Sequence, residues 1–177
     1  RSNILLRTEI SRISALMYSG KIIEPPIRGL FCGEVLMKKL YGNIVTGAFV
    51  MRMNRFVIHA EIDGRIEICH MPNPGRMREL LFPGVKMYLV KSRNPLSRTA
   101  YRVIGVERDG EVILLDTSKC NDVAHYLVSH HLIAGWEEYS VVQREVTMGD
   151  SRFDLLLGNE TTGEVFPVEV KSCTLFG

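Results

Sequence analysis

Two Asp-Gly pairs, Asp63-Gly64 and Asp109-Gly110, each sit between runs in which apolar and polar residues alternate. That pattern is the strongest short-range signal for a two-residue β-hairpin, and it commits the middle of the chain to antiparallel sheet. The run "TGAFVMRMNRFVIHAEI" reads as one long strand or two with an Asn-Arg interruption, and "RIEICHM" continues it with Ile66, Ile68 and His70 in alternation. "VKMYLVKS" and "TAYRVIGVERD" are further strands separated by the polar loop "RNPLSR", and the second Asp-Gly turn leads into "VILLDT". "PNPGR" breaks the sheet, and "RMRELLFPG" reads as one or two helical turns ended by Pro83 and Gly84. About five strands with one helical insert predict a small barrel of the OB type, with a flat antiparallel sheet as the alternative.

The flanks differ in character. Ile10, Ile13, Leu16 and Met17 fall on one face of a helix over residues 8–18, with Gly20 as its stop. "KIIEPPIRG" is a break, and residues 33–41 are ambiguous. Beyond residue 117 a helix is predicted over 119–134, with Ser118 or Asn121 as its cap and Gly135 as its stop. Three strands follow: "YSVVQREVT", "SRFDLLLG" and "GEVFPVEVKSC". The chain is therefore expected to be α+β, with an extension of unclear role over 1–45, a barrel over 46–117 and a helix-plus-three-strand unit over 118–177.

Composition excludes several classes. At 46% hydrophobic and 24% charged the chain is globular, and no apolar run approaches the roughly 18 residues of a membrane helix, so a soluble protein is expected. Cys32, Cys69, Cys120 and Cys173 form no CxxC pair, which argues against zinc and for a reducing, cytoplasmic setting. Arg1, Arg7, Arg12 and nearby serines faintly resemble an organelle transit segment, against which Glu9 counts. Residues 1–117 hold 18 Lys and Arg against 11 Asp and Glu, a net +7, while residues 118–177 hold 4 against 9, a net −5. A basic part joined to an acidic part suits a polyanion held by one and metal chemistry on the other, although surface charge also fluctuates between segments without function.

The chemistry concentrates in "FPVEVKSC". Alternation sends Glu169 and Lys171 to one face, about 7 Å apart at Cα, and Val168 and Val170 to the other. Asp154 interrupts the preceding strand where an apolar residue would serve stability. Two carboxylates on adjacent strands can hold one Mg2+ or Mn2+, with the Val170 carbonyl as a further ligand. Lys171 beside them can orient or deprotonate a water, or neutralise a pentavalent phosphate. Asp, then Glu-x-Lys, is by itself a weak pattern that also describes a charge cluster at a sheet edge. The order helix, hairpin, Asp, hairpin, Glu-x-Lys is that of the PD-(D/E)XK nucleases.

Four blocks, "HMPNPGRMRELLFPG", "NPLSRTAY", "SRFDLL" and "VEVKSCTL", resemble the signatures of the sugar fermentation stimulation protein (SfsA) family in order over residues 46–177. The resemblance implies an OB-like barrel followed by an α/β PD-(D/E)XK nuclease-like domain. It also implies DNA binding, nuclease activity and a role in regulating sugar metabolism; the residues themselves leave DNA and RNA both open as partners, and the short apolar runs give no membrane partner. Asp154, Glu169 and Lys171 match the nuclease motif, and Asn73, Gly75 and Arg76 match the barrel-loop block. Family members continue past "VEVKS" with a helix and a further strand, so the second domain is expected to be incomplete here. The alternative function is a DNA-binding transcriptional regulator whose nuclease-like domain is inert.

On the barrel, Asn73, Arg76, Arg78, Arg93, Arg98 and Arg102 form the candidate nucleic-acid set, with Phe82, Tyr88 and Tyr101 as stacking faces. Each alone reads as a solvated loop or core residue, and the group carries the expectation. Glu145 is equally a third acid of the site or a surface charge. His125, His130 and His131 lack the spacing of a helical metal pair, His70 and Cys69 point to opposite faces, and Trp136 reads as a core anchor.

Overall fold

Asp63 and Gly64 take φ of 50° and 74°, and Asp109 and Gly110 take 53° and 82°, the double positive φ of tight hairpin turns. The computed structural model describes residues 3–5, 13–18, 32–133 and 135–172. In chain order the elements are β1 (Asn3–Leu5), β2 (Ile13–Tyr18), α1 (Cys32–Tyr41), β3 (Ile44–Arg52), β4 (Val57–Ile62), β5 (Arg65–His70), β6 (Lys86–Lys91), β7 (Tyr101–Arg108) and β8 (Glu111–Leu114). They continue with α2 (Cys120–Ser129), β9 (Tyr139–Met148), β10 (Ser151–Asn159) and β11 (Val165–Ser172). The fold is α+β, and the elements divide into two compact units, α1 with β3–β8 and α2 with β1, β2 and β9–β11.

In the first unit the sheet order is β5-β4-β3-β6-β7-β8, and β5 also pairs with β7 in parallel at Cys69↔Tyr101 and His70↔Arg102. That last pairing closes β3–β7 into a five-stranded, OB-like barrel. Ile58, Ala60 and Ile62 alternate inward along β4 and are buried with Met71, Leu80 and Leu89. The segment read as helical turns is a single turn, in which the Leu80 N–H donates to the Met77 carbonyl and both side chains join the barrel core.

In the second unit the order is β1-β2-β11-β10-β9, antiparallel throughout. Residues 13–18 form strand β2 on the edge of β11, not the predicted helix; residues 8–12 lie outside the described residues. Tertiary pairing with an open strand edge outweighs a short helical periodicity. The stretch 1–45 is thereby divided: β1 and β2 extend this sheet, whereas α1 packs on β3 and β8. Helix α2 packs on β9, β10 and β11 through Val123, Ala124, Leu127 and Val128. It ends before the expected Gly135 stop because His131 takes φ 53° and the Leu132 N–H turns back to the Leu127 carbonyl at 2.9 Å. Its N-cap is Lys119, with no side-chain capping bond. Trp136 is the anchor expected of it, buried edge-to-face against Tyr139 and Phe166.

Barrel closure depends on close strand approach at Gly47, where an added Cβ would lie 2.7 Å from the Glu61 carbonyl oxygen. Gly47→Ala is expected to destabilise the protein by about 1–3 kcal/mol, since the obstacle is backbone. Urea unfolding checks this, and a change below about 0.5 kcal/mol would contradict it.

Candidate functional site

The two predicted acids lie on the two strands of one hairpin, Asp154 on β10 and Glu169 on β11. The register of β10 with β11 pairs Leu155 with Val168, so Asp154 and Glu169 each lie one residue beyond the last pair of the ladder. Leu155, Leu157, Phe166, Val168 and Val170 occupy the buried face, so Asp154 and Glu169 share the opposite one, both half-buried. The regular ladder stops at Leu155. Beyond it the Val170 N–H donates to Asp154 Oδ2 at 2.7 Å instead of to a strand carbonyl. Asn121 of α2 donates from Nδ2 to Asp154 Oδ1, also at 2.7 Å. Asn121, one of the two residues expected to cap α2, thus reaches across to the acid.

Each oxygen of Asp154 therefore accepts one hydrogen bond and keeps a lone pair for a cation. Among the described residues no three His, Cys, Asp or Glu side chains gather as a metal cluster. A pair of carboxylates completed by a carbonyl and waters suits Mg2+ or Mn2+ better than zinc. Glu145 is a surface charge: it is exposed, pairs with Arg152 at 2.8 Å and takes φ 52°. The backbone of Lys171 continues β11 two residues beyond Glu169, and its side chain lies outside the described residues.

On the barrel, Arg76, Arg78, Arg93 and Arg98 are exposed loop residues. Asn73 is buried, and its Oδ1 accepts the Gly75 N–H at 2.8 Å, which shapes the loop from within. Arg102 is engaged elsewhere: Nε and Nη2 reach the two carboxylate oxygens of Asp116 at 3.1 and 2.7 Å, and Asp116 is 2% exposed. Of the expected stacking rings Phe82 is exposed. Tyr101 packs on the core, and the Tyr88 hydroxyl donates to Glu107 at 2.8 Å. The Lys86 ammonium, then Tyr88, hold the Glu107 carboxyl below its ordinary range.

Two family descriptions match this chain. "SfsA N-terminal OB domain" covers residues 50–115, and "Sugar fermentation stimulation protein RE domain" covers residues 118–177. The chain belongs to the sugar fermentation stimulation protein family. A homolog from Clostridium beijerinckii is 35% identical over 136 residues, 76% of this chain and 58% of that protein. One from Clostridium tetani is 37% identical over 133 residues, 75% of this chain and 57% of that protein. The chain thus spans somewhat over half the length of these curated relatives. The solved structure of Pyrococcus furiosus SfsA in complex with Ca2+ matches with a TM-score of 0.52 and 28% identity, over 68% of this chain and 51% of that one.

Sequence reasoning missed two features of this SfsA barrel. The first is Arg52. Its guanidinium donates to five carbonyls: Asn54 at 3.0 Å, Arg55 at 2.6 Å, Asn73 at 3.1 Å, Gly75 at 2.5 Å and Arg76 at 3.1 Å. It ties the β3–β4 turn to the Pro-Asn-Pro-Gly loop, and its partial burial lowers its pKa. The second is a cross-strand row on the outer face, exposed Met51 and Ile68 on either side of half-buried His59, with exposed Ile66 and Phe56 nearby in the chain. The loop carrying Arg93 and Arg98 is hydrogen-bonded to this sheet through the Ala100 N–H to the Ile68 carbonyl at 3.2 Å. The available signal was parity: Ile66 and Ile68 alternate with buried Cys69 and so share the outward face with His70.

Arg102→Ala should strand the Asp116 carboxylate and lower stability by about 2–4 kcal/mol, whereas Arg76→Ala should stay within about 0.5 kcal/mol of wild type. Denaturant unfolding of both variants checks the division between structural and surface arginines.

Proposed function

We propose that this chain is a nucleic-acid-binding protein whose second unit hydrolyses phosphodiesters with Mg2+ or Mn2+, in the manner of a PD-(D/E)XK nuclease. The observation that carries the reading is the carboxylate of Asp154, each of whose oxygens is oriented by a hydrogen bond, one from Asn121 and one from the Val170 N–H beside Glu169. The Ca2+ named with the Pyrococcus furiosus relative, an oxygen-seeking divalent cation, supports a carboxylate site in this family. In this reading Asp154 and Glu169 would hold the metal, which would supply Lewis-acid polarisation of the scissile phosphate and lower the pKa of a bound water. Lys171, two residues beyond Glu169 on β11, would orient that water or offset charge on the phosphate. The barrel holds DNA, or RNA, by phosphate contacts from Arg76, Arg78, Arg93 and Arg98, with Phe56 and Phe82 as exposed rings for stacking. The family's name ties it to sugar metabolism, and regulation of that metabolism is the setting we propose.

The test is cleavage of end-labelled DNA and RNA by the full-length protein with Mg2+ or Mn2+. Asp154→Ala and Glu169→Ala should abolish cleavage and manganese binding together. Lys171→Ala should abolish cleavage while leaving manganese affinity nearly unchanged, because an ammonium cannot ligate a cation. A wild type that binds DNA but cuts neither substrate would leave the binding-only regulator as the function.

Four arginine contacts predict that log affinity for duplex DNA falls with log salt at a slope of about −3 to −4, and Arg76→Ala should flatten that slope by about 1. Salt titration by fluorescence anisotropy measures both, and salt-insensitive binding would refute the interface.

A further inference from the structure

We infer that Asn121 is a positioning residue for the divalent-cation site, an inference that rests on the reading of Asp154 and Glu169 as metal ligands. A carboxylate on a strand can rotate about its last side-chain bond, and a cation site needs that plane fixed in advance. Here two donors from two different elements fix it: Asn121 Nδ2 from α2 on Oδ1, and the Val170 N–H from β11 on Oδ2. The amide of Asn121 makes no cap for its own helix, whose N-cap is Lys119. It is directed across to the acid.

The donor is also neutral. A Lys or Arg in its place would cancel the charge that a cation requires, whereas an amide orients the carboxylate and leaves its full charge. Asn121 is itself held in place. Its neighbour Asp122 accepts Lys119 Nζ and Arg144 Nη2, both at 2.6 Å, and these two cations, Lys119 first, lower the pKa of Asp122. The first turn of α2 is thereby anchored to β9, and Asn121 presents its amide from a fixed base.

The experiment compares Asn121→Ala, Asn121→Gln, Asp154→Ala and Val128→Ala in the full-length protein. Manganese affinity is read by electron paramagnetic resonance, and the Val170 amide is followed by hydrogen exchange in metal-free protein. Val128 is buried on α2 and serves to loosen the helix by a cavity without touching Asp154. Asn121→Ala is expected to weaken manganese binding about 10- to 100-fold and to speed exchange at Val170. Asn121→Gln, which keeps the donor, should recover part of the affinity. Val128→Ala should leave affinity within about threefold of wild type. Wild-type affinity in Asn121→Ala, with binding lost in Asp154→Ala, would overturn the role of Asn121 and leave the metal site standing. An equal loss in Val128→Ala would reduce Asn121 to helix packing and also overturn it. A wild type that binds no manganese would remove the metal site, and the inference with it.

Discussion

Five carbonyl oxygens converge on the guanidinium of Arg52, and the irregular end of the barrel depends on that convergence. Four of these bonds are exposed and the one to Asn73 is part-buried, so the fork acts chiefly by fixing the geometry of the turn and loop rather than by rescuing buried acceptors. Two prolines in "PNPGR" remove donors from this loop, so its carbonyls cannot be satisfied by a regular turn. A planar fork with five N–H groups can serve several acceptors at once, and a lysine with three donors on a single nitrogen cannot reproduce its geometry. The loop that carries Arg76 and Arg78 thus takes its shape from a cation on the neighbouring strand, with Asn73 pinning it from inside.

The same constraint operates at Asp154 with the signs reversed. There a strand N–H, that of Val170, leaves the ladder, and a carboxylate takes the place of the missing carbonyl. The opposite neighbour strand is irregular at the matching step, because Val146 pairs with Phe153 and Arg144 with Leu155 while Glu145 between them takes φ 52°. β10 therefore carries its acid where both of its neighbours depart from regular pairing. A side chain at such a point is oriented by the backbone around it and can still offer lone pairs outward. Asn121 completes the arrangement from the helix.

This logic also explains what could be read in the sequence. Local rules govern local features. Asp63-Gly64 and Asp109-Gly110 marked their hairpins because the turn geometry itself demands positive φ. That Asp154 and Glu169 lie on the two strands of one hairpin was legible because a single tight turn separates the two apolar runs. The failures are non-local. Nothing in the helical periodicity around Ile13–Tyr18 reveals that β11 has an open edge to be paired. Arg102 looks like any surface arginine until Asp116 is buried beneath it, and Arg52 looks like a strand residue until loop carbonyls surround it. Apolar Met51 and Ile68 imply burial by composition and lie outside by register.

The charge division takes on a physical meaning in the proposed function. In that reading a phosphodiester approaching the acids meets the carboxylate of Asp154 on a half-buried face, where screening is weaker than in bulk water. A divalent cation inverts that local field and turns the acid pair from a barrier into a docking point. In the same reading the barrel would need no such help, since exposed arginines would attract phosphate directly. Binding without metal and hydrolysis only with metal is then the expected division of labour. It follows from the acids needing orientation before a cation arrives, which neutral donors such as the Asn121 amide and the Val170 N–H supply without cancelling their charge.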